Sequence, residues 1–357
     1  MLTIIYPYRN RELERIKNSL NSLLSQSNMD FEVIFVDYGS QLEISKEVKE
    51  LLSEYKFVEY VYSYNIYQPW SRSKAINIGL QFTKTEYVFI ADIDIFFHPN
   101  FIDKLYSLKQ ENTNYYFQVG YLNKQESLLK KEFNDYKIES KSIAEGKGLS
   151  FFKLNSLLSI NGFDEFFHFW GAEDQDIHQR LQNNGNKEIF YNKEILLLHQ
   201  WHPTFESLQK NKLTVEPLIE DAFNLNKQKL RFNRENNLII ANIDCWGLLF
   251  TREAFDMLES EDGFVEIINK KNNVDYFLNV VLSNFTDKIK VRFITDAYQK
   301  SLKYKIKKRL KIEKNEYYSL KYINDTILLN IILHHKSLPY IFKVNSDFES
   351  LDFIMSK

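Results

Sequence analysis

One cysteine, Cys245, stands in the 357 residues. No internal disulfide can form, and the chain suits a reducing cytosol. No window approaches about 18 uninterrupted apolar residues, so no membrane-spanning helix is expected. The opening run MLTIIYPYRN is too short in its apolar stretch for a signal peptide, and charged residues follow at once. The expectation is a cytoplasmic protein. An excess of one charge is also missing: 46 Lys and Arg face 48 Asp and Glu, for a formal net charge of −2. That gives no global drive towards nucleic acid, and no nucleic-acid partner is expected. No Gly-x-Gly-x-x-Gly follows the first strand, which argues against a nicotinamide-dependent dehydrogenase. No internal repeat is visible.

What is present is a packable chain, 44% hydrophobic and 26% charged, long enough for one large domain or two ordinary ones. The 29 Phe and 22 Tyr are read first as core packing. Over the first hundred residues, strand and helix signals alternate. Leu2 to Tyr6, Phe31 to Val36, Val58 to Tyr62 and Tyr87 to Ala91 are short apolar runs of the buried-strand kind. Between them, Leu13, Ile16, Leu20, Leu23 and Leu24 recur at helical spacing, as do Val48, Leu51 and Leu52, and Ala75, Ile76, Ile78, Gly79 and Phe82. Such alternation predicts a mostly parallel α/β sheet with helices on both faces. In such sheets ligands bind beyond the carboxyl ends of the strands. Pro7-Tyr8-Arg9, Asp37 and Asp92-Ile93-Asp94 all fall at strand ends. Further on, Gly146 to Lys153 reads as a strand, Glu173 to Asn184 as a helix, and Ile195 to Leu198 as a strand running into His199 and His202. After about residue 205 the character changes. Residues 1–205 are read as a catalytic domain and 206–357 as a smaller accessory region, mainly helical or α+β. Within the latter, 303–314 (KYKIKKRLKIEK) is strongly basic. A solvated helix face is the first reading, and contact with anionic lipid or a phosphorylated acceptor is the second.

Three groups of residues carry chemistry. In Asp92-Ile93-Asp94 the alternation of a strand aims both carboxylates the same way. Two carboxylates on one face repel unless a proton or cation lies between them, and a divalent ion bridging a diphosphate answers this. Glu173, Asp174 and Asp176 open a helix, where negative charge is favoured anyway. The preceding Trp170-Gly171-Ala172 suggests more: a sugar face stacked on the indole, acids on acceptor hydroxyls, and one of them acting as general base. His199 and His202, three apart at a strand end, are candidate partners of Asp94 on a metal.

The ordered set Pro7-Tyr8-Arg9-Asn10, Val36-Asp37-x-Gly39-Ser40, Arg72-Ser73-Lys74-Ala75-x-Asn77-x-Gly79, Asp92-x-Asp94, Trp170-Gly171-Ala172-Glu173-Asp174-x-Asp176 and His199 resembles the GT-A glycosyltransferases of family two. Its late part is similar to the carboxyl half of β-1,4-galactosyltransferases and chondroitin-polymerase-type enzymes. The resemblance covers roughly residues 1–205. It implies a Rossmann-like GT-A fold and the following roles. Pro7, Arg9 and Asp37 line the nucleotide pocket, with Asp37 reading uracil. Arg72 and Asn77 lie near the diphosphate, and Asp92 faces ribose or the metal. Asp94 and His199 ligate Mn²⁺ (or Mg²⁺), with His202 as the alternative to His199. Trp170, Gly171 and Glu173 bind the acceptor, and Asp174 is the base. Two positions depart from the pattern: Tyr38 stands where many relatives carry a second Asp, and Ala172 where Gly is usual.

The function so implied is inverting transfer of a hexose, galactose or N-acetylgalactosamine first, from a UDP-sugar to a hydroxyl of a glycan or lipid-linked glycan. Bacterial surface polysaccharide synthesis, of capsule or O-antigen, is the implied setting, with contact at the inner face of the membrane. Retaining transfer on the same fold, a glycoside hydrolase and a non-catalytic sugar-binding protein are the alternatives.

Overall fold

The computed structural model describes residues 1–203, 212–259 and 263–357. The boundary expected at 205/206 lies outside the described residues. The chain divides into two compact units. Met1–Ile66, Trp70–Leu208 and Phe223–Leu249 form the first, and Tyr67–Pro69, Gln209–Ala222 and Phe250–Lys357 the second.

In the first unit the expected runs become β1 (Leu2–Tyr8), β2 (Phe31–Tyr38), β3 (Val58–Ser63) and β4 (Tyr87–Ile90), joined by α1 (Leu13–Leu24), α2 (Leu42–Leu52) and α3 (Arg72–Phe82). Then follow β5 (Ile95–Phe97), α4 (Phe101–Ser107), β6 (Thr113–Phe117), β7 (Val119–Leu122), β8 (Ile138–Lys141), β9 (Ser150–Lys153) and α5 (Leu154–Leu158). The last elements are α6 (Glu173–Asn183), β10 (Lys187–Tyr191), β11 (Leu197–His199) and α7 (Ala222–Glu235). Seven strands form the main sheet in the order β10-β6-β9-β4-β1-β2-β3. Neighbours run parallel except at β9, which pairs antiparallel with β4 and β6. A second sheet has the order β5-β11-β7-β8. This is the expected α/β architecture of the GT-A type.

Strand alternation decides which face each side chain feeds. Phe31, Val33 and Phe35 of β2 join a core with Ile16, Leu20 and Leu23 of α1. Ile34, Val36 and Tyr38 of the same strand join the opposite core with Ala75, Ile76, Ile78 and Leu80 of α3. Both faces of the sheet are covered, which is why β1 and β2 read as continuous apolar runs rather than as alternation. Helix α3 lies so close to β1 that a Cβ on Gly79 would stand 2.6 Å from Ile5 Cγ2. The chain builds β1, β2 and β3 outward in one direction and then returns to place β4 on the other side of β1. The carboxyl ends at that reversal are where an open sheet leaves a ligand crevice.

The second unit is α+β. Strands β12 (Val265–Ile268), β13 (Lys288–Ile294), β14 (Tyr340–Val344) and β15 (Ser350–Ser356) form a sheet in the order β12-β13-β15-β14. Ile289, Val291 and Phe293 of β13 are buried, while the alternating Lys288, Lys290 and Arg292 are only half-buried. One covered face and one wetter face is the usual antiparallel pattern. No helix among the described residues is long and apolar enough to cross a membrane.

Candidate active site

Strand β4 delivers Asp92 and Asp94 just past its buried end, with Ile93 packed between them. Strand β11 pairs antiparallel with β5, setting His199 opposite Ile95, and the Gln200 N–H donates to the Asp94 carbonyl at 2.9 Å. This backbone bond draws both imidazoles onto one carboxylate. His199 Nε2 lies 3.6 Å from Asp94 Oδ1, and His202 Nε2 lies 3.3 Å from Asp94 Oδ2. The three donor atoms fall within 4.8 Å of one another. The sequence left His199 and His202 as alternatives, and the fold brings in both. Asp94 is 8% exposed, yet its Oδ1 has no hydrogen-bond partner among the described residues. An unsatisfied buried acceptor costs about 1–3 kcal/mol, more if charged, so a cation fits this atom. One carboxylate and two imidazoles suit a first-row transition ion better than Mg²⁺, which prefers oxygen and water.

Arg72 is the first residue of α3, whose N-cap Ser71 accepts the Lys74 N–H. Its guanidinium donates to Asp92 Oδ1 through Nε at 3.1 Å and Nη2 at 2.9 Å, and to the Gly148 carbonyl at 3.0 Å. Its Nη1 lies 3.9 Å from Glu173 Oε1. One cation therefore ties the two acidic runs together, a link that sequence spacing does not reveal. Asp92 was expected to face ribose or metal; here it is paired with Arg72 and half-exposed.

The second run opens α6 through a tight reversal. Phe169, Gly171 and Ala172 take φ of 67°, 96° and 77°. The N-cap position is Ala172, a left-handed conformation that a side chain disfavours by about 1–2 kcal/mol. That is the physical reason Gly suits this position. Asp174 is held by two backbone donors, Gln175 N–H at 2.7 Å and Lys147 N–H at 3.1 Å. Burial raises its pKa. Glu173 is pushed up to about 7, chiefly by burial and then by the adjacent Asp174 charge, with Arg72 opposing. A carboxyl in that range takes and gives protons near neutrality. Asp176 turns inward instead: it is buried against Arg180 at 2.7 Å and Asn233 at 2.7 Å, a structural pair.

Trp170 is 44% exposed, stacked on Phe223 with ring centroids 5.1 Å apart. A Cβ on Gly171 would come within 2.9 Å of the same Phe223 ring. Asn226 donates to the carbonyls of His168 and Trp170 at 2.9 and 3.1 Å. These props all come from α7, beyond the segment that the sequence assigned to the catalytic domain, and no motif marked them. Tyr121 was missed as well. It stands opposite His199 in the β7–β11 register, its ring 5.3 Å from that imidazole. Burial raises its phenol pKa, and the charges of Asp92, Asp174 and Asp94 add to this, so it sits among the site's carboxylates.

The other expected residues lie at neighbouring strand ends. Pro7 is buried in β1 beside Val36, and Tyr8 pairs with Asp37. Asp37 Oδ1 accepts Ser40 N–H at 2.8 Å, and Oδ2 accepts the Tyr60 hydroxyl at 2.9 Å. Burial raises its pKa. A carboxylate has about four lone-pair sites, so these bonds orient Asp37 without exhausting it. Gly39, at φ +74°, allows the Asn65–Ile66 backbone to pass; a Cβ there would meet Asn65 C at 2.4 Å. Arg9 donates to the Ile66 carbonyl at 3.3 Å. Asn77 requires correction. It was expected near the diphosphate but is fully buried. Its amide donates to the Phe163 carbonyl and Glu165 and accepts the Phe163 N–H, at 2.8, 3.0 and 2.8 Å. It pins the turn that leads to Trp170 onto α3.

Residues 3–179 match the family model described as Glycosyl transferase family 2. No curated protein matches the chain. Among solved structures, the chain is similar to a crystal structure of GalNAc-T7 with UDP, GalNAc and Mn²⁺. That match has a TM-score of 0.44 at 14% identity and covers 57% of this chain and 43% of that one. It is also similar to S. aureus TarS, with a TM-score of 0.42 at 16% identity over 73% of this chain and 46% of that one. The chain spans less than half the length of either.

Proposed function

We propose that the protein, whose residues 3–179 match the glycosyl transferase family 2 model, transfers a hexose from a UDP-sugar to a hydroxyl of a glycan or lipid-linked glycan acceptor, with inversion. The observation that carries this reading is the junction at Arg72: one guanidinium spans Asp92, beside the metal-competent Asp94–His199–His202 cluster, and Glu173, beside Asp174. A donor-side and an acceptor-side acid group then flank a single reaction centre. Asp94, His199 and His202 would hold a divalent ion, which when bound would supply neutralising charge at the leaving diphosphate. Arg72 offsets the same charge from the chain's own side. The acceptor oxygen attacks the anomeric carbon, the bond to UDP breaks with its electron pair leaving on the phosphate, and Asp174 takes the hydroxyl proton. Its two backbone donors fix the carboxylate for that role, while Glu173 and the exposed Trp170 hold the acceptor sugar. Pro7, Arg9 and Asp37 frame the nucleotide, Asp37 towards uracil.

Galactose or N-acetylgalactosamine is the first donor sugar on the Trp-Gly-x-Glu-Asp resemblance, with surface polysaccharide assembly in the cytoplasm as the setting. A second assignment, Glu173 as base, is favoured by its pKa of about 7. The test is a UDP-sugar hydrolysis and transfer screen with Mn²⁺ on three variants. Asp174→Asn abolishes transfer, about 10²- to 10⁴-fold, and keeps UDP affinity. Asp94→Ala removes the Mn²⁺-dependent part of calorimetric UDP binding. Full activity in Asp174→Asn together with loss in Glu173→Gln moves the base to Glu173. No UDP-sugar turned over by the wild type overturns the transferase reading.

A further inference from the structure

The basic segment 303–314 is not among the residues assigned to the transfer chemistry. It begins as a helix, Leu302–Arg309, N-capped by Ser301, whose hydroxyl accepts the Tyr304 N–H. The helix is anchored through Tyr304, which is buried between the rings of Tyr298 and Tyr317, at centroid distances of 5.5 and 5.7 Å. At about 100° per residue, Leu302, Ile306 and Leu310 line the side opposite Tyr304. They are 76%, 58% and 61% exposed, the reverse of what a helix does with apolar residues that serve its own core. Lys303 and Lys307 border this stripe on one side, Lys305 and Arg309 on the other. None of these four makes an ion pair among the described residues. The single acid of the segment, Glu313, accepts from the Tyr298 hydroxyl and the Lys314 and Asn315 N–H groups; the charge of Lys307 reaches it without an ion pair.

Scattered exposed apolar residues need no explanation, but a contiguous apolar stripe rimmed by cations does. It is the arrangement of a helix that lies in the boundary between lipid headgroups and acyl chains. We propose that this helix docks the protein on an anionic bilayer, with Leu302, Ile306 and Leu310 entering the boundary and Lys303, Lys305, Lys307 and Arg309 meeting lipid phosphates. Nucleic acid would engage the cations and leave the apolar stripe in water. A second copy of the chain would bring like charges together. A helix of this length gives weak, reversible attachment. Docking does not depend on the transferase reading; only its use, meeting a lipid-linked acceptor, rests on that.

The test is co-sedimentation of the full chain with phosphatidylcholine vesicles, with and without phosphatidylglycerol. The wild type partitions onto the mixed vesicles and not onto the neutral ones, and binding falls with salt. Each cation contributes about fivefold, so Lys303→Gln, Lys307→Gln and Arg309→Gln together lower the partition about a hundredfold. Leu302→Ser, Ile306→Ser and Leu310→Ser together lower it at least about tenfold. Unchanged far-ultraviolet spectra and melting show that both variants are folded. Wild-type vesicle binding by the apolar triple variant overturns the proposal, as does equal partition onto neutral and anionic vesicles. Dimerisation lost in the apolar variant, without vesicle binding in the wild type, overturns it in favour of a second copy.

Discussion

Replacing Glu173 with Gln measures what the fold gives up to keep a carboxyl at the head of α6. Its pKa is pushed from 4.5 up to about 7, and about 1.36 kcal/mol accompanies each tenfold change in proton affinity. The displacement is therefore worth about 3 kcal/mol. The raised value means that the native protein holds this proton more tightly than the unfolded chain does. Below about pH 4.5 both states are protonated and nothing is lost. As pH rises from about 4.5 to about 7 the unfolded state ionises first, so stability falls, and above about 7 the full loss is reached. Glutamine cannot ionise and escapes it. The variant should exceed the wild type by about 1 kcal/mol at pH 5 and about 3 kcal/mol at pH 8. At about 2–4 °C per kcal/mol, the melting gap widens from about 2–4 °C to about 6–12 °C. Calorimetric melts at both pH values, in chelator, test this. A gap that does not widen, or a variant less stable at pH 8, refutes the reasoning; it would mean that Arg72, 3.9 Å away, holds Glu173 ionised.

Two further outcomes follow from the same reversal. Ala172→Gly relieves a left-handed residue at φ 77°; setting about 1–2 kcal/mol of relief against about 0.4–1 kcal/mol of added chain entropy, it should stabilise by about 0.5–1 kcal/mol, read as a small rise in melting temperature. Asn226→Ala removes the amide donor shared by the His168 and Trp170 carbonyls, at about 1–3 kcal/mol; KM for the acceptor should rise while calorimetric UDP affinity holds, and an equal loss of both would contradict the acceptor-side placing of this loop.

Much of the first unit was legible because its central strands are buried on both faces, and such strands announce themselves as unbroken apolar runs. The strand-end acids were legible for the same reason, since a run such as Tyr87–Ile90 fixes where the chain emerges. Three other features were hidden, each by a contact between distant residues. Asn77 looks like a polar site residue in a motif, yet its partners Phe163 and Glu165 show that it pins a turn. Arg72 joins Asp92 to Glu173 only once α3 and α6 lie side by side. The short β6 and β10, and the antiparallel placing of β9 (itself legible as a strand) between β6 and β4, are set by pairing rather than by local pattern, which is where β preference depends most on context. The domain boundary at 205 followed a change of composition. Composition says nothing about α7, whose polar Asn226 and Asn233 are among the most buried of its residues.

Helix α7 also separates two meanings of a module. The stretch that matches the family model ends at residue 179, whereas the compact unit around it runs on to Leu249. Cut before Phe223, the chain would keep every acid and histidine of the site. It would lose the ring under Trp170, the amide that holds the Trp170 and His168 carbonyls, and the Asn233 partner of buried Asp176. Asn242 and Gly247, which bind Asn161, Phe163 and Glu165, would go with them. Grafting or recombining this protein would therefore have to carry the first unit through Leu249, about seventy residues past the end of the family match.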